Sequence, residues 1–206
     1  MTMTSDVLDR EAIAVGTRLP AGPRVAIIGS TFFWHPQSQR TCAAVGRLLA
    51  GIDGLILLTG GVAGVGEVVG RSFFGARPDG EGHRGVFHLL PHGCGRWDYG
   101  QTLFAGSDMG ERRQVLGRMA ECYVVIEGGP GTEHEAAVAL GRSVCVIPVG
   151  RSGGCAGELY PRVARPVFAT ESAWRDLSSA DASPERVAES VAEIVGAQVR
   201  ERRHGV

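Results

Sequence analysis

Residues 122–141 read CYVVIEGGPGTEHEAAVALG. The unbroken apolar run from Cys122 to Ile126 is the pattern of a strand buried on both faces, since a strand with one wet face would alternate. Glycines at 128, 129 and 131 then break the run, and residues 132–140 carry helix-forming residues. Strand, glycine turn and helix in that order make half of a parallel β–α–β unit.

The same unit recurs on both sides. Residues 24–29 (RVAIIG), 55–59 (LILLT), 85–90 and 144–149 read as four further buried strands. Helical spacing through Cys42, Val45, Leu48 and Leu49 predicts a helix over 37–50. A glycine-rich turn after 59 leads into a helix to about residue 74. Ser107 or Asp108 is placed to cap a helix running to about 120. A short helix is predicted over 158–163, and residues 166–169 read as a last edge strand. Ser183, Pro184 and Glu185 form a helix start, with proline at the first position and an acid behind it. Val187, Val191, Ile194 and Val195 then make one apolar face. Strands alternating with helices predict an α/β fold: a Rossmann-like, doubly wound, mostly parallel sheet in three αβα layers. Residues 1–22 read as an N-terminal tail or short flanking helix, and 23–203 as one nucleotide-binding domain.

Composition narrows the chemistry. The chain has 206 residues, enough to bury a full core. Its 21 basic residues are all arginine. Without lysine there is no Schiff base with pyridoxal phosphate and no Walker-type phosphate loop. The net charge of -1 provides no basic field, so neither nucleic acid nor membrane is an expected partner. Five cysteines without a C-x-x-C pair are no disulfide framework. The N-terminus lacks an apolar signal stretch, and a cytoplasmic location is expected. His88, His92 and Cys94 have loose metal-ligand spacing but no second ligand pair, and no metal site is predicted.

Glycine accounts for 31 residues and clusters where the strands end. Four such segments stand out: Gly29-Ser30-Thr31, the run from Gly60 and Gly61 through Gly64 to Gly66, Gly128-Gly129-Pro130-Gly131-Thr132, and Gly150 to Gly154. Ligands of open α/β sheets bind at the carboxyl ends of strands. Bare N–H groups at a following helix start attract anions, and glycine permits close approach. The run at 64–70 is one residue too long for the dinucleotide fingerprint, which disfavours an ordinary NAD dehydrogenase. Trp34, Trp97 and Tyr99 fall in loops after the first and third strands, where an aromatic can stack on a base or cover the core.

The stretch from Glu127 to Glu135 resembles the P-G-G-x-G-T-x-x-E motif of the LOG proteins, which are phosphoribohydrolases acting on cytokinin nucleoside 5′-monophosphates. Met109-Gly110-Glu111-Arg112-Arg113 is similar to their M-x-x-R-K segment, and the turn from Gly60 to Gly66 to their second glycine loop. The wider SLOG superfamily also holds molybdenum-cofactor carriers and ligand sensors. The segment from Ile147 to Ala156 looks more like the sensors. This chain has Glu127 where the motif begins with proline, Pro130 at its variable position and Arg113 in place of lysine. The resemblance implies Arg112 and Glu135 as catalytic residues. It implies phosphate or nucleotide binding by Gly29, Ser30, Thr31, Gly60, Gly61, Gly64, Gly66, Met109, Arg113, Gly128, Gly129, Gly131 and Thr132. It further implies a small nucleotide as ligand, no metal or organic cofactor, and a homodimer. Two activities stay open: hydrolysis of a nucleoside 5′-monophosphate, or binding of a nucleotide or pterin ligand without turnover.

Overall fold

The structure, a computed structural model, describes residues 4–78 and 85–204. The first three residues of the expected N-terminal tail lie outside it. Helix α1 (Ser5–Gly16) precedes β1 (Arg24–Gly29), α2 (Ser38–Leu49), β2 (Ile56–Thr59), α3 (Val65–Ala76), β3 (Val86–Leu90) and β4 (Gln101–Phe104). Then come α4 (Met109–Leu116), β5 (Cys122–Ile126), α5 (Pro130–Gly141), β6 (Cys145–Val149), α6 (Gly154–Leu159), α7 (Glu171–Asp176) and α8 (Pro184–His204). The six strands form one sheet in the order β4-β3-β2-β1-β5-β6, and every pairing is parallel. Parallel neighbours need crossovers; helices supply them on both faces, except between β3 and β4, which the loop of residues 91–100 joins. This is a Rossmann-like three-layer α/β fold.

Each sheet face carries its own core. One holds Val25, Ile27, Leu57, Val124 and Ile147 from the strands, with Phe73 of α3 and Val191 of α8. The other holds Ala26, Ile28, Leu58, Tyr123 and Val125, with Leu116 of α4 and Ala136 of α5. Adjacent strand residues thus point to opposite layers, which is why the strands read as continuous apolar runs. Leu8, Ala12, Val15 and Leu19 are buried in the second core, so α1 is seated on the sheet.

Two strand expectations are corrected. Residues 166–169 are not a strand: Ala169 N–H bonds back to the Pro166 carbonyl, closing a turn, and Val167 is 88% exposed. Pro166 also has no N–H to give a ladder. The sixth strand is instead β4, whose Gln101 faces solvent at the sheet edge, so it shows no continuous apolar run.

The order of strands sets up the site. From β1 the chain runs to β2 on one side and later returns to β5 on the other. The loops after β1 and β5 therefore diverge, leaving a crevice at the carboxyl ends of these strands.

Candidate functional site

A cleft of about 290 Å³ occupies that crevice. The loop after β1 contributes Gly29, Ser30, Thr31, Phe32 and Trp34. Gly60, Val62 and Gly66 come from the β2–α3 connection, and Met109, Arg112 and Arg113 from α4. Gly129, Pro130, Gly131, Thr132 and Glu135 come from the start of α5. These residues lie over a hundred positions apart in the chain.

Helix α5 begins with Pro130 just after Gly129, and no side chain caps it. The amides of Gly131 and Thr132 precede the first intrahelical acceptor and are left without one inside the helix. Glu133 N–H is the first to bond back, to the Gly129 carbonyl. Gly131 also has a steric role: a Cβ there would stand 2.9 Å from Arg113 Nε, so glycine lets that guanidinium lie over the helix start. Bare amides, the helix dipole and an arginine converge on one spot, an arrangement suited to an anion.

Helix α4 is held by a reciprocal cap. Asp108 accepts from Glu111 N–H at 2.9 Å, while Glu111 accepts from Ser107 N–H at 2.9 Å and from its hydroxyl at 2.7 Å. The helix presents Arg112, only 2% exposed, to Glu135 of α5, 6% exposed. Arg112 Nη1 donates to Glu135 Oε1 at 2.5 Å. Its Nη2 is 3.8 Å from the Met109 sulfur, and its Nε is buried without a hydrogen-bond partner among the described residues. Gly60 makes room for it, since a Cβ there would sit 2.8 Å from Nη1. Burial pushes the Glu135 carboxyl above its ordinary pKa, and the guanidiniums of Arg112 and Arg113 pull it part of the way back. Burial likewise lowers the Arg112 pKa, with the Glu135 charge opposing.

Of the residues singled out from sequence, Gly29, Ser30, Thr31, Gly60, Gly66, Met109, Arg112, Arg113, Gly129, Gly131, Thr132 and Glu135 all line this cleft. Gly61, Gly64 and Gly128 do not, and each is needed for the backbone instead. All three have positive φ, at 61°, 84° and 101°. A Cβ on Gly64 would lie 2.4 Å from the Ser30 carbonyl oxygen, so it lets the second loop pack under the first.

Glu127 was visible in sequence only as a departure from the resembling motif. It is fully buried at the end of β5 with φ of 54°. Its carboxyl accepts from the Ser30 hydroxyl, from Trp34 N–H at 3.1 Å and from His35 N–H at 2.9 Å. Its own N–H donates to Ser152 Oγ at 2.7 Å. Its signal in the sequence was an acid directly behind five apolar residues. Of the loop aromatics, Trp34 lines the cleft, whereas Tyr99 is buried and Trp97 Nε1–H bonds to the Gly61 carbonyl at 2.9 Å. His88 is 1% exposed, and both ring nitrogens have partners, Thr59 Oγ1 at 2.8 Å and the Tyr99 carbonyl at 3.1 Å. No cluster of three or more His, Cys, Asp or Glu suited to a metal occurs among the described residues. None of the described helices is long and apolar enough to cross a membrane.

A parallel sheet that reverses its order at β1, with glycine-rich loops lining the crevice there, defines a Rossmann-like α/β protein with a cleft at its topological switch point. The chain belongs to the SLOG cluster4 family, whose model matches residues 23–187. Among solved structures it is similar to TM1055, a structural-genomics target. That likeness has 25% identity and a TM-score of 0.57, covering 69% of this chain and 82% of the other. The molybdenum cofactor binding protein of Rippkaea orientalis is 19% identical, with a TM-score of 0.56 over 85% of this chain and 98% of its own. DNA processing protein A of Helicobacter pylori, described as binding single-stranded DNA, is 13% identical with a TM-score of 0.51. It aligns over 72% of this chain and 75% of its own. These last two likenesses show the fold alone. No curated protein matches the chain.

Proposed function

We propose that the cleft binds a nucleoside 5′-monophosphate and that the protein is a LOG-like phosphoribohydrolase, releasing free base and ribose 5-phosphate. The observation that carries this reading is the buried Arg112–Glu135 pair beside the uncapped start of α5. The 5′-phosphate would sit on the amides of Gly131 and Thr132 with Arg113 alongside, and Ser30, Thr31 and the glycines 29, 60, 66 and 129 would let it approach. The positive φ of Gly61, Gly64 and Gly128 keeps the loops in shape around it.

Cleavage breaks the bond from C1′ to the base, and the electron pair leaves with the base. Water then supplies hydroxide to C1′ and a proton to the base. The sugar passes through a state with oxocarbenium character. A carboxylate beside it stabilises the positive charge and can accept the proton of the attacking water. We assign that role to Glu135. Arg112 holds Glu135 in place and offers its unpartnered Nε to a ligand oxygen, which would satisfy a buried donor. No metal or organic cofactor enters the scheme, and a cytoplasmic homodimer is the proposed form.

A second reading has its own support: Glu135 is already engaged by Arg112 Nη1 at 2.5 Å, which suits a binding protein for a nucleotide or pterin ligand without turnover. One assay separates the two. The protein is incubated with AMP, GMP, CMP and UMP, and free base and ribose 5-phosphate are measured. Base release from one of them, reduced at least about a hundredfold in Glu135→Gln, is the expected outcome for a general base or charge stabiliser. Absence of release from all four, together with a rise in melting temperature on adding one, overturns hydrolysis in favour of binding.

A further inference from the structure

The anion end of the cleft leaves unexplained what two exposed aromatics do at its other end. Phe32 and Trp34 are 64% and 46% exposed, and both line the cleft. Their ring centroids are 5.8 Å apart. Large aromatics left open to water inside a cleft cost solvation, and this chain has few aromatics to spare.

Trp34 is held from two sides. Its backbone N–H and that of His35 bond to the Glu127 carboxyl, whose other partner is the Ser30 hydroxyl. One buried acid thus fastens both ends of the loop that carries Phe32 and Trp34. The indole edge rests on the loops after β5 and β6. A Cβ on Gly154 would lie 2.5 Å from Trp34 Cζ3, and one on Gly129 would lie 3.7 Å from Cη2. Gly154 has φ of 55°, and the amides next to it are tied to β5: Cys155 N–H to the Gly128 carbonyl and Ala156 N–H to that of Glu127. Two of the features in which the sequence differs from the LOG pattern, Glu127 and the segment from Ile147 to Ala156, therefore meet at one indole. Together they place it without covering it.

We infer that Trp34, with Phe32 beside it, is the stacking platform for a planar heteroaromatic ring borne by the ligand, and that Glu127 is the residue that positions it. This rests on the anion reading of the α5 start: the ligand is a phosphomonoester joined to a flat ring, such as a nucleobase or a pterin. Stacking is tolerant of ring identity because every such ring has a π face.

The test compares dissociation constants for ribose 5-phosphate, AMP and a pterin phosphate by calorimetry, in the wild type, Trp34→Ala and Trp34→Phe. In the wild type at least one ring-bearing probe binds tighter than ribose 5-phosphate by about tenfold or more, the size expected of one base–aromatic stack. The ratio falls close to unity in Trp34→Ala and is largely restored in Trp34→Phe. Which probe shows the preference tells a nucleotide site from a pterin site. A preference that survives Trp34→Ala, or a wild type that binds ribose 5-phosphate as well as both ring-bearing probes, overturns the platform and leaves the anion site standing. Failure of all three probes to bind the wild type overturns the anion reading and the platform with it.

Discussion

At position 127 a glutamate adopts φ of 54°, a conformation that costs a residue with a side chain about 1 kcal/mol. It is retained there because its carboxyl satisfies two backbone amides and a hydroxyl of the β1–α2 loop. Those partners lie 92 to 97 positions away, so the acid behind an apolar run marked the position but nothing local identified its partners. Gly154 is the complementary case. Its φ of 55° and a Cβ that would fall 2.5 Å from Trp34 and 2.6 Å from the Gly128 carbonyl oxygen leave no room for a side chain. We predict that Gly154→Ala lowers unfolding free energy by about 2–4 kcal/mol, combining left-handed strain with a backbone clash. Urea denaturation checks it; a change within about 0.5 kcal/mol, the range of an unremarkable surface substitution, would show that the loop relaxes freely.

Among the elements, the strands were legible because burial on both faces leaves an apolar run, and the helices because α2 and α8 keep one apolar stripe. Strand β4 escaped because of its four residues only Thr102 and Leu103 are buried, whereas β6, at the other edge, is buried over four of its five. Strand β3 carries one polar residue, His88, within an otherwise apolar run, with Thr59 and Thr102 as its register neighbours. Burial lowers the His88 pKa to about 4 from an ordinary 6.5, the Tyr99 carbonyl opposing in part. The neutral ring is therefore the folded form. Its contribution is complete above pH 6.5 and is lost as pH falls from there towards 4, because the unfolded chain takes up the proton first. The shift corresponds to about 3 kcal/mol. We expect wild-type stability measured from pH 7.5 to 4.5 to fall more steeply than that of His88→Gln, the comparison removing the shared titration of carboxylates. Parallel curves for the two proteins would mean that the ring is solvated when charged.

Across the whole molecule, the family match begins at residue 23, after α1. Yet α1 buries Leu8, Ala12, Val15 and the following Leu19 on the sheet core. It also braces both ends of the helix that carries Arg112: Glu11 Oε1 accepts from Gly106 N–H at 2.9 Å just before that helix, and Asp9 pairs with Arg118 at 2.8 Å just after it. Deleting residues 1–19 should cost about 5 kcal/mol from the exposed apolar surface alone. A melting temperature within a degree or two of the full chain would contradict that, and would make α1 an ornament of the fold.

The layered α/β architecture was legible from the chain alone, because periodicity is a local property of a segment and its neighbours. The placing of glycine-rich turns at the strand ends was local too, and the resemblance to the LOG motif pointed to Arg112 and Glu135. Which of those glycines line the cleft and which hold positive-φ turns beside it emerged only from the packed fold. It also decided that Arg112 meets Glu135, and that Glu127, Gly154 and Trp34 form one device. Contacts of that kind join loops from β1, β5 and β6, which become neighbours only when the sheet reverses its order at β1. No single segment encodes that reversal; it is a property of how all six strands pack.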